Sequence, residues 1–402
     1  MDNKLSNSLN LSLVLCLYLY PITSCVVYLF ELNSSILNIV FKAFTFVIYF
    51  ICFYRVVFYK NKLYILNISL FLLLIIYSFR LLVDVFIYDI QHELYSSSYL
   101  LLYFFLLTFL PVYNFIKSGY HLNISKFIKY SGVLLIIINL LYFFVAIKDG
   151  SSFADLFSSR INKVAEDENI SVINPIIVGL NGCVIVLYSL YNYLFNSKYS
   201  FLNIIMIFLG LFNLAVGASR GPLFITILLT FFMLLIFFRS KKQGFKTFFS
   251  FVTIIFITIF IILPFVDKYD FFLFNRIESF FLFEEEIRNI IIDNAMTDFL
   301  NNPVFGLHIF DSTSNAFPHN ILVDALMSCG FLGGILVVFS FIPFFKNSFK
   351  LMLNKKNYEY GFLFFILSPF IIIGFTSGSF LFFPEFWVAL SLLSIKLNRF
   401  YK

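Results

Sequence analysis

The chain has 402 residues, of which 61% are hydrophobic and only 12% are charged. A soluble domain of that length has too little interior to hide so much apolar surface. Apolar runs of about 20 residues recur, each long enough to cross a bilayer core of about 30 Å, which also excludes a transmembrane barrel with its short alternating strands.

The expected fold is therefore all-α: one integral membrane domain over residues 1–402, with about twelve spans. In chain order the predicted spans are 11–30, 36–58, 63–83, 99–116, 127–147, 175–195, 201–216, 222–238, 248–266, 319–345, 361–375 and 380–395. The last two are separated only by the thin stretch 374–378. The first run is too long for a signal-peptide core and lacks a small-x-small cleavage site, so it reads as a retained span.

Orientation follows from the basic residues, which collect in cytoplasmic loops. With the N-terminus inside, the inner segments hold Lys4, Arg55, Lys60, Lys62, Lys117, Lys126, Lys129, Lys198, Arg239, Lys241, Lys242 and Lys246. Lys346, Lys350, Lys355, Lys356, Lys396, Arg399 and Lys402 complete the set, so nineteen of the 28 basic residues face inward. Both termini are then cytoplasmic, and the net charge of +6 needs no nucleic-acid partner to explain it. Three segments fall outside: a short acidic one over 84–98, a mixed one over 148–174, and the largest, a loop over 267–318. No internal repeat appears, which disfavours a transporter built from duplicated halves.

The 61 phenylalanines read as lipid-facing substitutes for leucine rather than as a ligand box. The five cysteines, Cys16, Cys25, Cys52, Cys183 and Cys329, sit in apolar runs without metal-type spacing and read as buried thiols.

Chemistry is expected where the helices stop. Over 284–300, Ile287, Ile291, Ala295 and Phe299 form one apolar stripe of a helix that Pro303 ends. Arg288 lies in its first turn beside Glu284, Glu285 and Glu286, and is either salt-bridged on a surface helix or available to a ligand. Arg220 is wedged between two spans in Ser219-Arg220-Gly221-Pro222. There it could hold a phosphate with the following helix N-terminus, or pair with an outer acid such as Asp84 or Glu385. His319 opens a long apolar run. A helix N-terminus would keep it neutral, as a general base requires, although a capping histidine fits the same spacing. His308 and Asp311 have only weak metal-ligand spacing.

The pieces Arg288, Asn302-Pro303-Val304-Phe305-Gly306, His319-Asn320 and Cys329-Gly330-Phe331-Leu332-Gly333, with Ser219-Arg220-Gly221 upstream, resemble the signature of the O-antigen ligase and Wzy-type polymerase superfamily. Roughly the second half of the chain carries it. Leu307-His308 departs from it where a second glycine is common. The resemblance implies a helical bundle like those of GT-C glycosyltransferases, in the bacterial inner membrane, with the active site on the periplasmic face. It implies polymerisation of polyprenyl-pyrophosphate-linked repeat units. Arg220 and Arg288 would bind pyrophosphate, Arg276 would be a weaker second contact, and His319 would be the base. Neither metal nor cofactor is implied. Partners would be the two lipid-linked glycans, with a chain-length regulator and a flippase. An O-antigen ligase, with lipid A-core as acceptor, shares these signatures. A flippase would carry mid-span charges, whereas most charges here lie at span ends.

Overall fold

The computed structural model describes residues 2–32, 34–57, 67–90, 96–118, 122–149, 163–164, 171–196, 200–240, 287–352 and 358–394. They form α1 (Asp2–Leu29), α2 (Ser34–Val57), α3 (Ile68–Phe86) and α4 (Ser97–Tyr103). A π-helical stretch, Phe104–Phe109, carries α4 into α5 (Leu110–Ser118), and α6 (Ile124–Asp149) follows. After an antiparallel pair, β1 (Lys163–Val164) and β2 (Ser171–Ile173), come α7 (Pro175–Tyr191), α8 (Ser200–Gly217) and α9 (Arg220–Ser240). The described chain resumes with α10 (Ile287–Asn301), α11 (Ile321–Met352), α12 (Tyr358–Ser377) and α13 (Pro384–Leu393).

Eight of the described helical segments are long and apolar enough to span a membrane, and α12 and α13 supply shorter apolar helices. The chain is a polytopic helical membrane protein. The predicted span at 248–266 lies outside the described residues, as does the part of the loop 267–318 before Ile287. Helix boundaries follow local chemistry. Asn67 accepts from the Leu70 N–H at 3.1 Å to start α3, and Asn174 accepts from Ile176 at 2.9 Å ahead of Pro175 to start α7.

The phenylalanines divide as lipid and core demand. Phe79, Phe201 and Phe208 are 69%, 77% and 67% exposed, whereas Phe104, Phe127 and Phe380 are fully buried. All five cysteines are buried and free. Between α6, α7 and α8, Asn213 donates to Asn139 Oδ1 at 2.7 Å, and Asn139 donates to the Asn181 carbonyl at 3.3 Å. In an apolar medium such polar contacts tie helices together, although each contributes only about 1 kcal/mol.

Successive spans run antiparallel. Lys148, at the end of α6, reaches the Tyr28 and Leu29 carbonyls at the end of α1, while Lys126 reaches Asn7 at the opposite end. The end that holds the α1, α3, α6, α8 and α12 C-termini also holds α10 and the segment 302–320.

Two departures from regular helix shape that end. α11 is broken at Gly330, whose φ of 64° is left-handed. The break frees backbone groups, and segment 303–307 takes them. Phe331 N–H donates to the Pro303 carbonyl at 2.7 Å, and Leu307 N–H donates to the Met327 carbonyl at 2.8 Å. A Cβ on Gly330 would lie 2.3 Å from the Val304 oxygen, and one on Gly306 would lie 2.4 Å from the Ser328 carbonyl carbon. The two motif glycines are thus fixed by a backbone-to-backbone crossing.

The second departure lies between α12 and α13, where residues 378–383 turn through the interior without forming a helix. Non-helical backbone is tolerated in a membrane protein only where protein satisfies it. Here Phe380 N–H donates to the fully buried Asp324 carboxylate at 2.8 Å. Thr108 donates to the Leu381 carbonyl at 3.4 Å, and the Trp387 indole donates to the Phe380 carbonyl at 3.2 Å. The single predicted span 380–395 is therefore a buried loop followed by a ten-residue helix.

Candidate functional site

The last turn of α12 leaves carbonyls without intrahelical partners. Two polar side chains from elsewhere take them. Asn320 Nδ2 donates to the Phe375 carbonyl at 2.8 Å, and the Arg288 guanidinium donates to the Thr376 carbonyl at 2.7 Å. Asn320 also caps α11, its Oδ1 accepting from Leu322 and Val323 N–H at 3.0 and 3.3 Å. This one residue therefore joins the end of α12 to the start of α11.

His319 precedes it with φ of +53°, a left-handed conformation that costs a non-glycine residue about 1 kcal/mol or more. Its ring lies 4.4 Å from that of Phe317. Burial, and then the positive charge of Arg288, push the imidazole's pKa down from the ordinary 6.5 to about 4. His319 is accordingly neutral at pH 7 and lies within electrostatic reach of Arg288. Burial also lowers the Arg288 pKa from its ordinary value, yet a guanidinium stays charged. Its bond to Thr376 is the one Arg288 makes among the described residues, which leaves most of a guanidinium's five donors for a ligand.

Arg220 opens α9 two residues after Ala218, whose own left-handed φ of 42° follows the end of α8 and makes the reversal abrupt. A Cβ on the next residue, Gly221, would lie 2.8 Å from Ile373 Cδ1 and 3.5 Å from Thr376 Oγ1. The first turn of α9 therefore packs on the last turn of α12, the turn that Arg288 and Asn320 cap. The structure brings half-buried Arg220, Arg288 and His319 to one helix end, although they lie up to 99 residues apart in sequence. Arg276 and the acidic residues Glu284, Glu285 and Glu286 lie outside the described residues.

Of the alternative partners for Arg220 read from the sequence, Asp84 is engaged elsewhere. Asp84 is fully buried at the end of α3, where it pairs with Arg80 at 2.7 Å and with His308 Nδ1 at 3.3 Å. It also accepts the Ile309 N–H at 2.8 Å, so it pins the segment 302–320 to α3. Glu385 lies in the first turn of α13 and forms no ion pair with Arg220 among the described residues.

The His308–Asp311 metal pair does not form. His308 faces Asp84, while Asp311 closes its own turn by accepting N–H groups from Thr313, Ser314 and Ala316. Among the described residues no group of three metal-binding side chains occurs. The Arg80–Asp84–His308 cluster was missed in the sequence because its members lie 224 residues or more apart across the histidine. Only the four-residue spacing of Arg80 and Asp84 near a span end could have signalled half of it.

No known protein-family model matches the chain, and no curated protein matches it significantly.

Proposed function

We propose that this protein is a polysaccharide polymerase that joins polyprenyl-pyrophosphate-linked repeat units at the outer face of a bacterial inner membrane. The twelve-span topology read from the basic residues puts the α12 end of the bundle on that face. The observation that carries the reading is that Arg288 caps the last turn of α12 within electrostatic reach of a neutral His319, while the α9 turn that begins with Arg220 packs on that same turn.

The donor is a glycan on a polyprenyl pyrophosphate, and the acceptor is a lipid-linked repeat unit. A hydroxyl of the acceptor's terminal sugar attacks the donor's anomeric carbon. The new glycosidic C–O bond forms as the anomeric carbon–pyrophosphate bond breaks, and the electron pair leaves with polyprenyl pyrophosphate. The hydroxyl proton passes to the His319 imidazole. Arg288 and Arg220 neutralise the leaving pyrophosphate, for which their forked donors are well matched.

The low proton affinity of His319 follows from burial and the Arg288 charge. A pyrophosphate bound at Arg288 offsets that charge and raises the imidazole's proton affinity. Donor binding thus converts a weak base into a competent one. This coupling also favours a chemical role over simple capping, because Asn320 already caps α11.

The test is Arg288→Lys and Arg220→Lys, each in cells lacking the native gene, with protein level in the membrane matched. Each variant should lose at least about 90% of polymer, because lysine keeps the charge but not the bidentate fork. Near-normal polymer from both variants would favour structural ion pairs instead.

A further inference from the structure

A continuous row of side chains leads away from His319. Its ring lies 4.4 Å from Phe317, Phe317 lies 5.7 Å from Phe382, and Phe382 lies 5.3 Å from Tyr103. Tyr103 is 5.8 Å from Tyr99, and the Lys42 ammonium sits 4.5 Å over the Tyr99 ring while donating to its hydroxyl at 2.9 Å. Every member of the row is half-buried. The row therefore keeps part of its surface accessible to a ligand.

Lys42 is the anomaly in this row. It lies eight residues into α2, about 12 Å along a helix from Ser34. Side chains on a helix slant toward its N-terminus, so the Lys42 stem rises toward the end that holds His319. Its partner, Tyr99, stands in the first turn of α4 at that same end. Among the described residues the ammonium meets no carboxylate: its polar partner is a phenol, and its other contacts are the faces of Tyr99 and Tyr103. A membrane-helix cation that meets no carboxylate among the described residues is costly and marks a place where an anion docks.

We propose that this row is the acceptor subsite, in which Lys42 holds the pyrophosphate of the second lipid-linked glycan and the rings of Tyr99, Tyr103, Phe382 and Phe317 carry its sugars to His319. The proposal rests on the polymerase reading above, and it adds a second anion site separate from the donor's at Arg288. Aromatic faces suit the C–H-lined faces of sugar rings and exclude water from the path. The order of the row matches the order of the acceptor: pyrophosphate at the reducing end over Lys42, terminal hydroxyl at His319. Such a reaction holds two polyprenyl pyrophosphates at once, and the fold offers two cationic stations for them.

The experiment counts polyprenyl pyrophosphate bound to the full-length protein in phosphatidylcholine nanodiscs by native mass spectrometry, using the sugar-free lipid as probe. Wild type should bind two. Lys42→Met should bind one, Lys42→Arg two, and Arg288→Ala one. Two lipids on Lys42→Met, or a single lipid on wild type at saturation, would overturn the proposal. Two lipids on Arg288→Ala with one on Lys42→Met would instead remove the donor assignment and leave the Lys42 site standing. The wild-type count is then repeated in nanodiscs with a tenfold excess of phosphatidylglycerol over the probe, which needs no variant to fold. Loss of the second lipid there would reduce Lys42 to a general headgroup contact and overturn the proposal. Turnover of lipid-linked repeat unit extracted from the native strain tests the rings. Phe382→Ala should raise its KM at least tenfold with kcat within twofold, and an unchanged KM would remove the rings from the subsite.

Discussion

The sharpest consequence of the site's electrostatics is the titration of His319. Its pKa falls from 6.5 to about 4, first by burial and then by the charge of Arg288. At about 1.4 kcal/mol per pKa unit, that shift corresponds to at most about 3.5 kcal/mol. The sign follows from linkage. The native state binds the His319 proton less tightly than the unfolded chain does, so the contribution is present above pH 6.5 and is lost as pH falls from 6.5 toward 4. The perturbation is Arg288→Gln, which removes the second cause and keeps the first. The pKa should rise toward 6.5 without reaching it, and acid tolerance should improve. The assay is nuclear magnetic resonance of ring-labelled histidine, tractable because the chain has only four histidines. The His319→Asn spectrum assigns the resonance. A wild-type His319 titrating at 6.5 or above, or one unmoved by Arg288→Gln, would refute the account of how the two residues interact.

Two further predictions address the architecture. Gly330→Ala combines a left-handed backbone with a Cβ 2.3 Å from the Val304 oxygen, so it should destabilise the protein by about 2 kcal/mol or more. A fall of several degrees in the unfolding midpoint in detergent checks it, and an unchanged midpoint would contradict the backbone crossing. A cysteine at exposed Ser312, in a chain without native thiols, should react with an impermeant reagent added outside intact cells. Protection until the membrane is opened would reverse the orientation.

The eight spans found among the described residues were legible because lipid demands long apolar runs with self-satisfied backbones, and such runs are local in sequence. What lipid does not dictate was harder to read. Phe380 to Phe383 are as apolar as any helix, but their course depends on Asp324, 56 residues away, accepting the Phe380 N–H. Gly306 and Gly330 could be noticed as motif members, yet their reason lies in a crossing between segments that sequence does not pair. Arg220, Arg288 and His319 could each be singled out as a polar group at a helix end. That one turn of α12 gathers them required coordinates. Lys42 escaped notice because a single lysine inside an apolar run reads as a blemish until Tyr99 is seen beside it.

The most direct test of the central claim is to reconstitute the purified protein into liposomes with lipid-linked repeat unit and EDTA, and to resolve the product lipids by size. The account predicts a ladder of polymers from wild type in the chelator, no ladder from Arg288→Lys, and a rate lowered about 10²–10⁴-fold in His319→Asn. A ladder from His319→Asn at the wild-type rate would contradict it, as would wild-type activity that vanishes in EDTA and returns with a divalent cation.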